Sequence, residues 1–484
     1  MPSATNCFQF FIACTLMLEF CNSASSQVFT NLWSFTIHTN GQSPRGALVL
    51  SGDTLYGTTT VGGGVGFSGT IFKINTNGTG YVVLKRLSPI FGSGSADTNS
   101  DGGAPRAGLV LSGNTLYGSA PVGGIYGLGT VFKINTDGTG FFVLKHFIDG
   151  SSLNPLGPIA KLALSDNVLY GTTFKGGTWT NGTIFKLNTD GTGFAVLKNF
   201  SQGIYVSSIF RSTNGDGANP RGTLVVSGDT LYGTTSEFGP AGLGTIFKIN
   251  TNGTGFTVLK YFTNSPDGAE PEGGLTLFGS TLYGTTGSGG TGTSGTIFKL
   301  NTDGTGFTIL KNFTNNPDGA GPICDLVLSG NSLFGTTSYG TSSGCGTVFQ
   351  VNTDGTSFKV FTNLSNTTGG NPESGLVLSG STLYGTTQSG SSGYGAVYGL
   401  TLPIIPPNSS IFSIITTNGS LGFTNRQFRF TLAGPAGSNV VISASTNLQT
   451  WISLQTNSLS GGSLNFTDTL ATNYLRRFYR ANLQ

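Results

Sequence analysis

Charge is scarce in this chain: Asp, Glu, Lys and Arg make up only 9% of its 484 residues. Histidine is scarcer still. His38 and His146 are the only two, and neither lies at a metal-ligand spacing from another His or Cys. No Gly-x-Ser-x-Gly, Walker or dinucleotide motif stands in a strand-to-helix context, so no catalytic residue is assigned. Residues 27–402 balance 18 basic against 18 acidic side chains, and a neutral body argues against a nucleic-acid platform. Long apolar runs are missing too. Phe8–Leu18 is the longest and is too short to span a bilayer. With Ser23-Ala24-Ser25 behind it, the run reads as a cleaved export signal over residues 1–26. The bulky and charged residues before Cys21 argue against a lipid anchor. The expected location is therefore secreted, extracellular or on the cell surface.

Cysteine is almost confined to that leader. Only Cys324 and Cys345 lie beyond it, and export would permit them to pair. They precede what read as the first and third strands of one repeat. Two strand steps are roughly 9.6 Å, and a disulfide needs Cα atoms within about 7 Å. The loops would have to bend inward for the bond to form.

Glycine, by contrast, is abundant, with 78 residues, and it falls at fixed places in a repeat. Ser51–Thr59 (SGDTLYGTT) recurs with variations centred on Tyr117, Tyr170, Tyr232, Tyr283, Phe334 and Tyr384. Each copy is followed by a version of Gly69–Asn75 (GTIFKIN). Repeats of about 50 residues mean solenoids, propellers or arrays. Within one repeat, Leu48–Leu50 reads as a strand and Gly52-Asp53 as a turn. Leu55–Thr59 returns, a glycine-rich loop leads to Thr70–Asn75, and Tyr81–Leu87 follows Asn77-Gly78. That Asn-Gly pair suggests a two-residue hairpin with positive φ at both central positions. The equivalent Asp137, Asp190, Asp303 and Asp354 then read as turn residues rather than catalytic ones. Four antiparallel strands per repeat make a propeller blade.

The seventh repeat stops after its third strand. The missing fourth is supplied from the other end, where Val28–Leu32 repeats Val360–Leu364 letter for letter. The expected fold is all-β: a seven-bladed propeller over 27–402, closed by the N-terminal strand. The pattern Leu-Tyr-Gly-Thr-Thr, Gly-Thr-Ile/Val-Phe-Lys and Asn-Thr-Asp-Gly-Thr-Gly resembles the GloVer-type tandem repeat of exported bacterial proteins. The resemblance implies a propeller in secreted or surface proteins and brings no catalytic residues. A Pro-rich linker is expected over 403–410. Residues 411–484 resemble a small C-terminal β module of exported proteins, and alternation in Phe428–Leu432 suits a β-sandwich.

The connections from strand four to the next strand one share a face with those from strand two to strand three. That loop face holds most of the length variation, notably in 88–106 and 201–221. It also carries one aromatic in six of seven repeats: Phe67, Tyr126, Trp179, Phe238, Tyr339 and Tyr394. These rings would either stack on sugars or fold back over their own loops. Asp97, Asn99 and Asp101, followed by Gly102, match the start of a calcium loop, although the closing acidic residue is absent. Calcium is the only cofactor the sequence offers. Asp216, Glu237, Asp267, Glu270 and Glu272 lie in loops of the same face and could form a carboxylate pair in space. The expectation is a monomeric, non-catalytic scaffold that binds an extracellular glycan or protein. The alternative is a hydrolase or lyase acting on polysaccharide.

Overall fold

A computed structural model of the chain describes residues 27–36, 40–64, 68–91, 98–148, 157–390, 393–402, 413–415, 421–424, 427–433, 439–446, 452–459, 463–471 and 478–483. The export signal at 1–26, the linker at 403–410, Phe67, Asp97 and His38 lie outside these residues. Among them no helix is long and apolar enough to cross a membrane.

Gln27–Thr401 form one compact unit, a seven-bladed β-propeller. Blade one pairs Val49–Ser51, Thr54–Thr59, Thr70–Asn75 and Val82–Arg86 in that order, all antiparallel. Five more four-stranded sheets repeat this from Val110, Ala163, Val225, Thr276 and Val327. The last blade joins Val377–Ser379, Thr382–Thr387 and Ala396–Thr401 to the N-terminal strand Val28–Ser34. The N-terminal strand closes the ring as its sequence predicts. Its Trp33 stacks on Tyr81 of blade one, with ring centroids 4.1 Å apart.

The repeated letters explain the packing. The Gly of Leu-Tyr-Gly sits under the Phe of the third strand. A Cβ on Gly57 would lie 2.5 Å from Cζ of Phe72, so only glycine lets the ring lie flat in the sheet. The first Thr of the same phrase reaches the next blade. Thr58 Oγ1 donates to the carbonyl of Ala107 at 3.0 Å, and Thr386 Oγ1 to that of Gly46 at 3.4 Å, which joins blade seven to blade one. The second Thr pairs with the Thr opening strand three, as in Thr59–Thr70 at 2.8 Å.

The long turn departs from the two-residue form that the sequence suggests. Positive φ falls on Gly78 and Gly80, not on Asn77. Instead Asn77 Oδ1 accepts the Thr79 N–H at 3.0 Å and its hydroxyl at 2.7 Å. Asp137, Asp190, Asp303 and Asp354 do the same, which lowers their carboxyl pKa values through those Thr hydrogen bonds.

Leu402–Gln484 belong to a second unit. One sheet places Gln427–Ala433 between Leu421–Thr424, Ser413–Ile415 and Ser463–Asp468; the other is Ile452–Ser458, Asn439–Ser445 and Phe478–Leu483. Phe428, Phe430 and Phe466 of one sheet share a core with Val440, Ile442 and Tyr479 of the other.

The glycine constraint is testable. A Cβ at Gly284 would meet Phe298 Cζ at 2.5 Å and Leu275 Cδ2 at 2.9 Å. Gly284→Ala should cost about 1–3 kcal/mol through overpacking, seen as a lower urea midpoint with the slope unchanged.

Candidate functional site

Much of the propeller's sparse charge is spent on the scaffold. The Lys of strand four pairs with the Asp of the connection that follows it: Lys85–Asp101 at 2.9 Å, Lys198–Asp216 at 2.6 Å and Lys311–Asp318 at 2.6 Å. Lys260–Asp267 repeats the pair. The same ammonium lies over a Phe of the next blade, 4.5 Å from Phe141 for Lys85 and 4.2 Å from Phe358 for Lys311. Of the expected loop carboxylates, Asp216 and Asp267 are therefore engaged as blade clips.

Asp101 and Asn99 have internal partners of the same kind. Asp101 Oδ2 accepts from Ser88 N at 3.0 Å, from Ser88 Oγ at 2.7 Å and from Lys85, while Oδ1 accepts from Ser100 Oγ at 2.7 Å. Asn99 donates to the carbonyls of Ser88 and Gly102, and its oxygen accepts the N–H groups of Gly102 and Gly124. Burial alone would raise the Asp101 pKa, but the hydrogen bonds from Lys85, Ser88 and Ser100 outweigh it and hold the carboxyl at about 2. Cys324 and Cys345, the candidate disulfide pair, are both buried free thiols. Two strand steps part their starts, and each sulfur has its own partners: Thr336 for Cys324, and Ser343 and Asn366 for Cys345.

The loop aromatics divide. Tyr126, Trp179 and Tyr339 are 46, 48 and 49% exposed, although Tyr339 lies against Gly321. Tyr394 is half-buried on the cluster that holds Phe35 and Phe72. Phe238 packs its ring edge on Gly203 and lines a cleft.

That cleft is built where the long 201–221 connection departs from a plain loop. Ile204–Val206 and Arg211–Thr213 pair as a two-stranded hairpin. The hairpin presents Tyr205 on its first strand and Phe210 in its turn, 61 and 78% exposed. Arg211 ties the hairpin to the body, donating to the Gly242 carbonyl at 3.3 Å and facing Glu270 at 3.8 Å. Tyr205, Phe210, Phe238, Glu237, Glu270 and Glu272 line a cleft of about 480 Å³. That volume lies in the range of ligand-binding clefts.

Arg221 and Glu272 form a wall common to this cleft and to a second cavity, the mouth of the central channel, of about 180 Å³. Each blade enters its first strand through a Pro-x-x-x-Leu segment, beginning at Pro44, Pro105, Pro158, Pro220, Pro271, Pro322 and Pro372. The first variable position brings Arg45, Arg106, Arg221, Glu272 and Glu373 to the mouth, and the third brings Lys161 and Asp325. Arg45 pairs with Glu373 at 3.2 Å and Arg221 with Glu272 at 3.5 Å. Burial raises the Glu272 pKa; Arg221 opposes this, and Glu270, Glu373 and Glu237 add to it.

Residues 27–402 contain only four glutamates, and all four line one of these two cavities. Four of the five arginines there do as well. The sequence signal for Glu237, Glu270 and Glu272 was their place on the loop face. Arg45, Arg106, Lys161, Asp325 and Glu373 were missed, as was the hairpin. Their signal was available: charge at a position where other repeats carry Ile, Ala or Gly.

Asp101 carries a pH prediction. Its pKa is lower in the folded chain than the unfolded value near 3.9, so its contribution is complete above about pH 4 and is lost as pH falls toward about 2. Asp101→Asn should flatten the decline of stability between pH 4 and 2, followed by urea titration at each pH.

The family profile described as Gloeobacter/Verrucomicrobia repeat matches residues 93–208 and 201–398. No curated protein matches the chain. Among solved structures, an ulvan lyase from a new family of polysaccharide lyases is 11% identical, with a TM-score of 0.43, over 78% of this chain and 96% of its own. The subtype N11 neuraminidase-like protein of the flat-faced bat isolate is 11% identical, with a TM-score of 0.36, over 78% and 94%. A europium-containing methanol dehydrogenase is 8% identical, with a TM-score of 0.41, over 76% and 85%. Likeness at this level concerns general architecture and says nothing of chemistry. The profile match, in contrast, extends over more than half of the sequence, and the chain belongs to the Gloeobacter/Verrucomicrobia repeat family.

Proposed function

We propose that this protein is an exported binding propeller that takes a glycan on its loop face. The observation that carries the proposal is the cleft beside the hairpin. Exposed Tyr205 and Phe210 meet Arg211, Arg221 and three of the four glutamates of residues 27–402 there. Sugar rings need both parts. Their C–H faces stack on aromatic planes, and their hydroxyls hydrogen-bond to carboxylates and guanidinium groups. The apolar run at residues 8–18 supports export. Tyr126 and Trp179, exposed on other blades, would extend the aromatic surface.

The test is a glycan array probed with residues 27–484, with and without calcium. Phe210→Ala and Tyr205→Ala should each weaken a selective signal by about 1–3 kcal/mol if the rings stack on sugar, as they do on other flat ligands. Loss of the signal on removing calcium, reproduced by Asp97→Ala, would support calcium at Asp97, Asn99 and Asp101. A blank array in both conditions would overturn the glycan reading and favour a protein partner.

A second reading, polysaccharide cleavage, is favoured by Glu272. A half-buried carboxyl with a raised pKa beside Glu270 and Glu237 suits a general acid. In that case polysaccharide incubated with the protein should release new reducing ends or unsaturated products. Glu272→Gln should then slow the release about 10²–10⁴-fold. No release from the unaltered protein would remove this reading.

A further inference from the structure

The central mouth holds more cation than the structure neutralises. Arg45 and Arg221 are paired with Glu373 and Glu272. Asp325 is engaged differently: Oδ1 accepts the Gly274 N–H at 2.6 Å and Oδ2 the Thr223 hydroxyl at 2.9 Å. Arg106 and Lys161 remain. Neither has an ion-pair or hydrogen-bond partner among the described residues, and both line the cavity.

Lys161 is half-buried in the wall of the bore, and Arg106 stands exposed at its mouth. Burial pushes the Lys161 ammonium pKa down, with Asp325 opposing. Partial desolvation and Arg45 lower the Arg106 pKa in the same direction, with Glu373 opposing and Arg221 adding. Like charges that share one cavity without contact partners repel each other, and an anion between them would relieve this. Neither residue belongs to the repeat's scaffold. The positions equivalent to Arg106 include Ile159 and Ile323, and those equivalent to Lys161 include Ala47 and Gly375. A propeller can therefore be built without either cation.

We propose that Arg106 and Lys161 form an anion subsite in the mouth of the central channel, and that the glycan bound in the adjoining cleft is an acidic one whose carboxylate or sulfate group enters it. The second half rests on the glycan reading above; the subsite itself does not. Arg221 and Glu272 are continuous with both cavities, so one sugar chain can lie beside Phe210 and still reach the channel. A guanidinium can meet either oxyanion with two parallel hydrogen bonds, and the lysine supplies a point charge beneath it.

The experiment is isothermal titration of residues 27–484 at low ionic strength, where charge pairing is least screened. The first probes are sodium sulfate and sodium glucuronate, with glucose as the neutral control. Either anion should bind where glucose does not, and Arg106→Gln and Lys161→Met should each weaken it by about tenfold or more. Relative strength of the two anions tells a sulfate ester from a uronate. No binding of either, or binding unchanged in both variants of unaltered melting temperature, overturns the subsite. The second probe is an oligouronide against its methyl ester. Preference for the acid, abolished by Arg106→Gln, supports the acidic-glycan assignment. Equal binding of acid and ester overturns that assignment and leaves the glycan reading standing. Binding of the simple anions with neither oligomer supports the subsite and overturns the glycan reading alone.

Discussion

A glycine facing a phenylalanine is the constraint on which this ring depends. Each blade buries the third-strand ring over a strand-two residue that has no side chain, from Gly57 with Phe72 to Gly335 with Phe349. In the last blade the pair is Gly385 with Tyr398, whose ring is fully buried. The flat contact leaves the adjoining Thr residues free to knit the sheets together. One hydroxyl bonds the third strand, and the other crosses to the next blade. Repetition of so small a unit closes a ring that no single blade could form, since each leaves its apolar face for a neighbour to cover. Propeller stability therefore rests on seven similar interfaces, with the N-terminal strand as the clasp.

That architecture also explains how charge is distributed. The scaffold uses Lys and Asp in pairs that lock a strand to the connection after it, and it uses Asp or Asn to fold the long turns. These side chains are committed to structure. The strand-three lysines, such as Lys73 and Lys133, run along the blades, whereas the glutamates and most of the arginines gather at one end of the molecule with Lys161. Chemistry is left to residues that the repeat does not require. A rigid frame that presents variable loops around a central mouth is the usual division of labour in such folds.

The sequence made the fold legible because the fold is periodic. Strand order, blade number and the closing role of Val28–Ser34 all follow from phrases that recur in register. The details that failed were local. Asn77-Gly78 looks like a two-residue turn, yet the side chain of Asn77 holds a longer one through Thr79. Residues 201–221 looked like an extended loop, and no alternating pattern marks the short hairpin within them. The mouth of the channel was hidden for a deeper reason. Arg45 and Glu373 meet at 3.2 Å although the whole ring separates them in sequence. Nothing in either segment announces the other. Only when the seven Pro-x-x-x-Leu segments are laid on one another does the irregular charge stand out, and its convergence requires the closed ring. The calcium-like loop teaches the converse lesson. Asn99 and Asp101 carry the right oxygens, but the fold already gives each a set of protein donors.

The central claim is that one continuous surface, from the hairpin to the channel, is where this protein meets its ligand. The most direct measurement is a crystal structure of residues 27–484 with a bound oligouronide. The account predicts sugar density lying against Tyr205 and Phe210, with a carboxylate between Arg106 and Lys161. Density on the opposite face, among the Asp-Gly turns, or on the outer strands with the channel filled only by water, would contradict it.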